Sequence, residues 1–160
     1  MKSRGRLVRG LLLMGVMAIA GVGGSMEVLA QERDEAVASE LRAVLVDMWD
    51  AIEQEDLERY ARHVHPDFTS FGESDPYLNE GKAYELRATA DWLSRVERVH
   101  TDMHQPEVTV MGDTAWMTYY WTDAGYRSDG TRYTSQGKST RIFVRVDGRW
   151  LCIHGHYTAT

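Results

Sequence analysis

From Val99 onward the hydrophobic pattern repeats every two residues. Three turn signals, Gly112-Asp113, Asp129-Gly130 and Asp147-Gly148, cut it into runs of about 99–111, 114–127, 131–146 and 149–158. Alternation of this kind places successive side chains on opposite faces of a strand. Two-residue loops rich in Asp and Gly join antiparallel neighbours, because glycine takes the positive φ such turns require. Four strands joined by three such turns form a meander. Gly125 and Gly137 fall inside long runs, where a missing side chain marks a bend or bulge. Long, kinked antiparallel strands make a strongly curved sheet.

A curved sheet needs something on its concave side, and the preceding segment supplies it. Val37, Leu41, Val44, Leu45, Met48, Trp49 and Ile52 recur with helical spacing, which predicts an amphipathic helix of four to five turns. Asp34-Glu35 suits the positive end of its dipole. Asp56 is placed to cap a second, short helix with Tyr60 on its inward stripe and Pro66 after it. Phe68–Phe71 reads as a short strand. Asn79 is placed to cap a third helix, with Leu86, Ala90 and Leu93 on one face and Trp92 and Tyr84 beside it. The expected fold is α+β, with three N-terminal helices packed on the concave face of the sheet.

The first thirty residues have a different character. Lys2, Arg4, Arg6 and Arg9 precede an apolar run from Leu11 to Val22, and Val28 and Ala30 occupy the −3 and −1 positions before Gln31. This is the layout of a secretory signal peptide, too short for a comfortable membrane span. The expected organisation is a leader over 1–30 and one domain over 31–160, exported to the periplasm or the medium. Membrane contact is then expected only through the leader, before cleavage. The net charge of the chain is −6; with the leader's +3 set aside, the remainder carries −9. That acidity argues against nucleic acid and anionic membrane surfaces as partners. Cys152 is the only cysteine, so no internal disulfide is possible, and a buried, inert thiol is expected in the last strand.

Several stretches resemble the association (hub) domain of calcium/calmodulin-dependent protein kinase II and the SnoaL-like proteins of the NTF2-like superfamily. They are Asp56-Leu57-Glu58-Arg59-Tyr60, Asp67–Phe71, Asn79-Glu80-Gly81, Val99-His100-Thr101, Pro106-Glu107-Val108, Thr134-Ser135-Gln136, Thr140-Arg141, Asp147–Trp150 and His154-Gly155-His156. Their order holds from about Leu41 to Tyr157. The resemblance implies the NTF2-like cone fold and self-association as a homodimer or larger ring. It implies no catalytic role, and a cone pocket lined by arginines and polar residues. Arg141 falls on a pocket-arginine position. Tyr120 stands where an arginine is expected on the preceding strand, and Tyr157 replaces a further basic position.

The candidate site residues follow. Arg141 shares a strand face with Phe143 and Arg145; it is placed either to grip a carboxylate in the cone or to form a surface ion pair. His154 and His156 share a face, expected to hold Trp150 and Cys152 as well. They offer a ligand contact, a general base or simply hydrogen-bonded structure. His-x-His supplies two ligands where a metal needs more, so no metal is expected; no cofactor is expected either. Tyr60, Trp92, Trp116 and Tyr120 are candidate pocket walls, Trp92 better read as core. Trp116 and Tyr120 lie on one face of their strand, Met117, Tyr119 and Trp121 on the other; aromatics on both faces point to a packed partner. His100, Asp102 and His104 alternate onto one face of an earlier strand, with His100 alone supported by the resemblance.

Two functions compete. One is an exported, homo-oligomeric domain that binds a small, carboxylate-bearing molecule through Arg141, His154, His156, Tyr120, Trp116, Tyr60 and His100. The other is an isomerase, dehydratase or cyclase with His154 or His156 as base and Tyr120 or Tyr60 as donor; beside both stands a structural reading, assembly with a vestigial pocket.

Overall fold

The computed structural model describes residues 22–72 and 76–160, with side chains from Ser25 onward. The basic start and most of the apolar run of the expected leader lie outside these residues. Helix α1 spans Val22–Glu53, α2 Leu57–Ala61 and α3 Lys82–Leu93. The strands are β1 Val64–Phe71, β2 Asn79–Glu80, β3 Val96–Met111, β4 Thr114–Arg127, β5 Arg132–Val146 and β6 Arg149–Ala159. They form one six-stranded sheet in the order β2-β1-β6-β5-β4-β3. The meander β3 to β6 is antiparallel throughout, and β1 joins the edge of β6 in parallel. This is the α+β cone expected from the sequence, with the three helices against the inner face.

α1 is already helical at Val22, fifteen residues before the apolar stripe at Val37. Asp34 and Glu35 therefore lie inside the helix and not at its positive end. From Ser25 to Ala36 the side chains are exposed apart from half-buried Asp34, and the first buried one among the described residues is Ala38, followed by Leu41, Leu45, Met48, Ala51 and Ile52. Burial of each large member of this stripe stabilises the fold by about 1.5–3 kcal/mol. The helix stops where Glu55 takes a positive φ of 58°, a left-handed cap. Asp56 then accepts the Arg59 backbone N–H at 2.9 Å and caps α2 as expected.

α3 is capped differently from the expectation. Asn79 pairs with Ser70 in the short β1–β2 ladder, and the residue before the helix is Gly81, at φ 88°. Its carbonyl accepts the N–H groups of Tyr84 and Glu85, so the sheet edge and the first turn of α3 are joined at one glycine.

Curvature has local causes. Register shifts between Glu97 and His100 and between His104 and Glu107 put two bulges in β3, with Arg98 and Gln105 both at φ 50°. Gly125 faces the first bulge; a Cβ there would lie 2.9 Å from the Glu97 carbonyl oxygen. Gly137 causes no register shift; the Trp121 ring and the Thr158 backbone lie directly over it. Asp147 and Gly148 both take positive φ, 50° and 78°, as a type I′ hairpin turn requires.

Candidate functional site

One further bulge decides which residues face the cone. Between β5 and β6, Phe143 pairs with Cys152 but Ile142 pairs with His154, so Ile153 is an extra residue on β6. An extra residue reverses the alternation beyond it. Trp150 and Cys152 face inward with Phe143, and past the bulge Gly155 and Tyr157 face inward. His154 and His156 turn to the convex face. The expected sharing of a face by the two histidines with Trp150 and Cys152 is therefore corrected.

On the convex side His154 Nδ1 lies 2.8 Å from the Thr69 hydroxyl, and Phe71 meets both imidazoles edge-on with centroids 5.9 and 5.8 Å away. Partial burial, then the neighbouring His156 and Arg141, holds His154 below its ordinary value of 6.5. Trp116 and the 54 % exposed Tyr120 occupy the same convex face; their neighbours Met117, Tyr119 and Trp121 face inward and are buried. Position 119, not 120, therefore carries the aromatic that meets Arg141. His100 sits at the far edge of the sheet, 3.2 Å from Glu53 at the end of α1. Glu53 also accepts the Thr101 backbone N–H at 2.6 Å.

Of the residues expected at the site, Arg141 and Tyr60 line the cone, as does Trp92. The cavity measures about 340 Å³ and opens between α1, α3 and the concave sheet. Arg141 is 4 % exposed. Its Nε donates to the Tyr119 hydroxyl at a long 3.4 Å, and its guanidinium lies 4.9 Å from the centre of the Tyr157 ring. Its Nη1 has no hydrogen-bond partner. Nη1 rests on Gly155, where a Cβ would come within 2.6 Å of it. The glycine of His154-Gly155-His156 is thus the member that serves the cone, because any side chain there would displace the guanidinium. Burial works against the charge on Arg141, while the phenols of Tyr119, Tyr157 and Tyr60 and the Cys152 thiol, as they ionise, hold its value above the ordinary one.

Facing this cation from α3 is Glu85, 5 % exposed, which accepts a 2.6 Å hydrogen bond from the Tyr60 hydroxyl. Burial and then the Glu85 charge push the Tyr60 phenol well above its usual range, so it remains a donor. Burial likewise pushes the Tyr157 phenol up to about 12 and the Cys152 thiol up to about 11. Cys152 is buried and free, an unreactive core thiol. A further donor, Trp49 Nε1, is buried in the cavity wall without a partner. Asp123 lines the wall too and accepts from the Thr101 hydroxyl at 2.9 Å. Among the described residues no group of three or more His, Cys, Asp or Glu side chains is placed to hold a metal ion.

Sequence reasoning missed Glu85, Trp49, Tyr119 and Asp123 as cavity residues, and Gly155 as the seat of Arg141. Glu85, Ala88, Thr89 and Trp92 lie at i, i+3, i+4 and i+7 on α3 and all line the cavity. That stripe carries two polar members, so the more apolar Leu86–Ala90–Leu93 stripe outweighed it. A glutamate inside an otherwise helix-spaced small and aromatic stripe was the available signal.

A helix-filled cone of this topology defines the NTF2-like class. An NTF2-like superfamily protein from Salmonella enterica superposes with a TM-score of 0.69 at 14 % identity, covering 78 % of this chain and 92 % of that one. The chain belongs to the calcium/calmodulin dependent protein kinase II association domain family, which it matches over residues 37–160. Calcium/calmodulin-dependent protein kinase type II of Caenorhabditis elegans is 27 % identical over 148 residues, 92 % of this chain and 20 % of that protein. The association domain of the C. elegans kinase superposes with a TM-score of 0.66 at 27 % identity, covering 79 % of this chain and 98 % of that one. The chain spans about a fifth to a quarter of the length of the curated relatives it matches, 20 % and 24 %.

Proposed function

We propose that this chain is an exported, self-associating association-domain protein that binds a small carboxylate-bearing molecule in its cone. The observation that carries the ligand reading is Arg141: a buried guanidinium with a free Nη1, seated on Gly155, facing an aromatic-walled cavity. A buried cation left short of partners costs several kcal/mol, and a bound carboxylate removes that cost with charge-assisted hydrogen bonds. The walls favour a ligand with an apolar or aromatic body.

Self-association draws on the family and on the convex face, where Tyr120 and Phe71 are exposed beside Trp116 and the two histidines. Export draws on the leader pattern. Cleavage after Ala30 is compatible with the fold, because residues 25–36 bury no core side chain. Among the described residues no helix is long and apolar enough to cross a membrane.

Calorimetry with phenylacetate tests the binding reading. Arg141→Met is expected to abolish binding. Gly155→Ala is expected to weaken it about tenfold or more, equivalent to about 1.4 kcal/mol, with the fold intact by circular dichroism. Unchanged affinity in both variants refutes the site. Native mass spectrometry on the exported chain reads oligomer size and the N-terminus; a monomer, or a mass retaining residues 1–30, refutes the corresponding part.

A further inference from the structure

The cone holds a cation and a carboxyl that do not pair with each other. Arg141 lies on β5 against Gly155, with a long hydrogen bond to Tyr119 and the Cys152 thiol beside it. Glu85 projects from the first turn of α3 and is held by the Tyr60 hydroxyl at 2.6 Å. Both side chains line the same 340 Å³ cavity. Opposite charges in a poorly solvated site attract strongly, so a rigid scaffold is needed to keep them from closing on each other. Here the glycine seat holds one and the phenol holds the other. A purely structural cone would gain by joining them, since leaving a buried charge unpaired is expensive. Kept apart across a cavity, they match the parts of a proton-transfer site: a positioned base and a fixed cation where negative charge develops.

We propose that Glu85 is a catalytic base for proton transfer at the carbon next to the carbonyl of an arylalkyl 2-oxo acid, with Arg141 holding the carboxylate and the developing enolate oxygen. The proposal rests on the carboxylate-binding reading above and extends it to chemistry. In the step, Glu85 takes the proton from carbon. The C–H electron pair becomes the carbon–carbon double bond, and the carbonyl π pair moves to oxygen, facing Arg141. Protonated Glu85 then returns the proton to the enolate, or exchanges it with water first. Atoms and electrons balance without a metal, an oxidant or a cofactor. The aromatic walls, among them Trp49 and Trp92, receive the aryl ring.

The test is deuterium exchange into the benzylic CH2 of phenylpyruvate in D2O, followed by proton NMR with the full chain. Exchange is expected about 10²- to 10⁴-fold above buffer, the range of a positioned general base. Glu85→Gln, whose amide oxygen still accepts from Tyr60, is expected to fall to the buffer rate while still binding phenylacetate. Glu58→Gln, an exposed carboxylate of α2 outside the cavity, is expected to keep full exchange. Exchange that survives in Glu85→Gln overturns the assignment. Exchange no faster than buffer, in a protein that binds phenylacetate through Arg141, overturns the catalysis and leaves the binding reading standing. No binding and no exchange overturns both.

Discussion

Replacing Arg141 by methionine is expected to stabilise the free protein and to remove its response to ligand. The guanidinium is 4 % exposed, with Nη1 unpartnered and Nε held at only 3.4 Å. Burying a donor without a partner costs about 1–3 kcal/mol, and the desolvated charge adds roughly 2–3 kcal/mol. Against that stand a stretched hydrogen bond of roughly 0.5–1 kcal/mol and the contact with the Tyr157 ring, about 2 kcal/mol when desolvated. Methionine has nearly the same reach, can lie over the Gly155 backbone in its place, and brings no charge. The balance is a gain of about 1–2 kcal/mol, or roughly 4–8 °C in Tm for a domain of this size. Differential scanning calorimetry at fixed protein concentration reads it, with and without phenylacetate. At a hundredfold excess over Kd a one-site ligand adds about 2.7 kcal/mol to the wild type and nothing to the variant. The two proteins should therefore exchange rank when ligand is added. A variant that melts several degrees below the wild type without ligand refutes the reasoning, because it makes Arg141 a structural tie.

Three further outcomes follow from the packing and the titrating groups. Gly137→Ala is expected to cost about 3 kcal/mol, the top of the overpacking range, because its Cβ would meet the Thr158 carbonyl oxygen and lie 2.6 Å from Trp121 Cζ2; a urea midpoint within error of wild type refutes this. Cys152, buried with its thiol pushed up to about 11, is expected to resist iodoacetamide at pH 8 and to react on unfolding, as read by intact mass. His100 is raised above its ordinary 6.5 by its hydrogen bond to Glu53 and then by the Glu53 charge. A raised histidine adds stability that is complete below pH 6.5 and lost as pH rises through its folded value. The difference in urea midpoint between wild type and His100→Gln should therefore be present at pH 5.5 and absent at pH 9; an equal difference at both values refutes the ion pair.

The meander was legible because its signals are local. Alternation over long runs and Asp-Gly turns need only neighbouring residues to act, and strands 114–127 and 149 onward appear where the pattern places them. Arg141 was legible as a cone residue through its family pattern. The histidines illustrate the limit. Their spacing correctly put both on one face, but which face depends on the extra residue at Ile153. A bulge is a property of the β5–β6 pairing, and nothing in the run itself marks it. The same holds for Tyr119 and Tyr120, adjacent aromatics of similar β propensity that only the sheet's curvature sorts into inside and outside.

What the amino-acid sequence determined by itself is the alternation of helix and strand, the turns, and the amphipathic faces, since these follow from side-chain periodicity and backbone preference. Tertiary structure decided which groups meet. Gly155 became a seat for a guanidinium because β5 and β6 bring it beside Arg141. Glu85 became a cavity carboxyl because Gly81 starts α3 at the sheet edge and Tyr60 arrives from α2 to hold it. These contacts join residues 14 and 25 positions apart, and proximity at that range is set by packing, not by any local pattern.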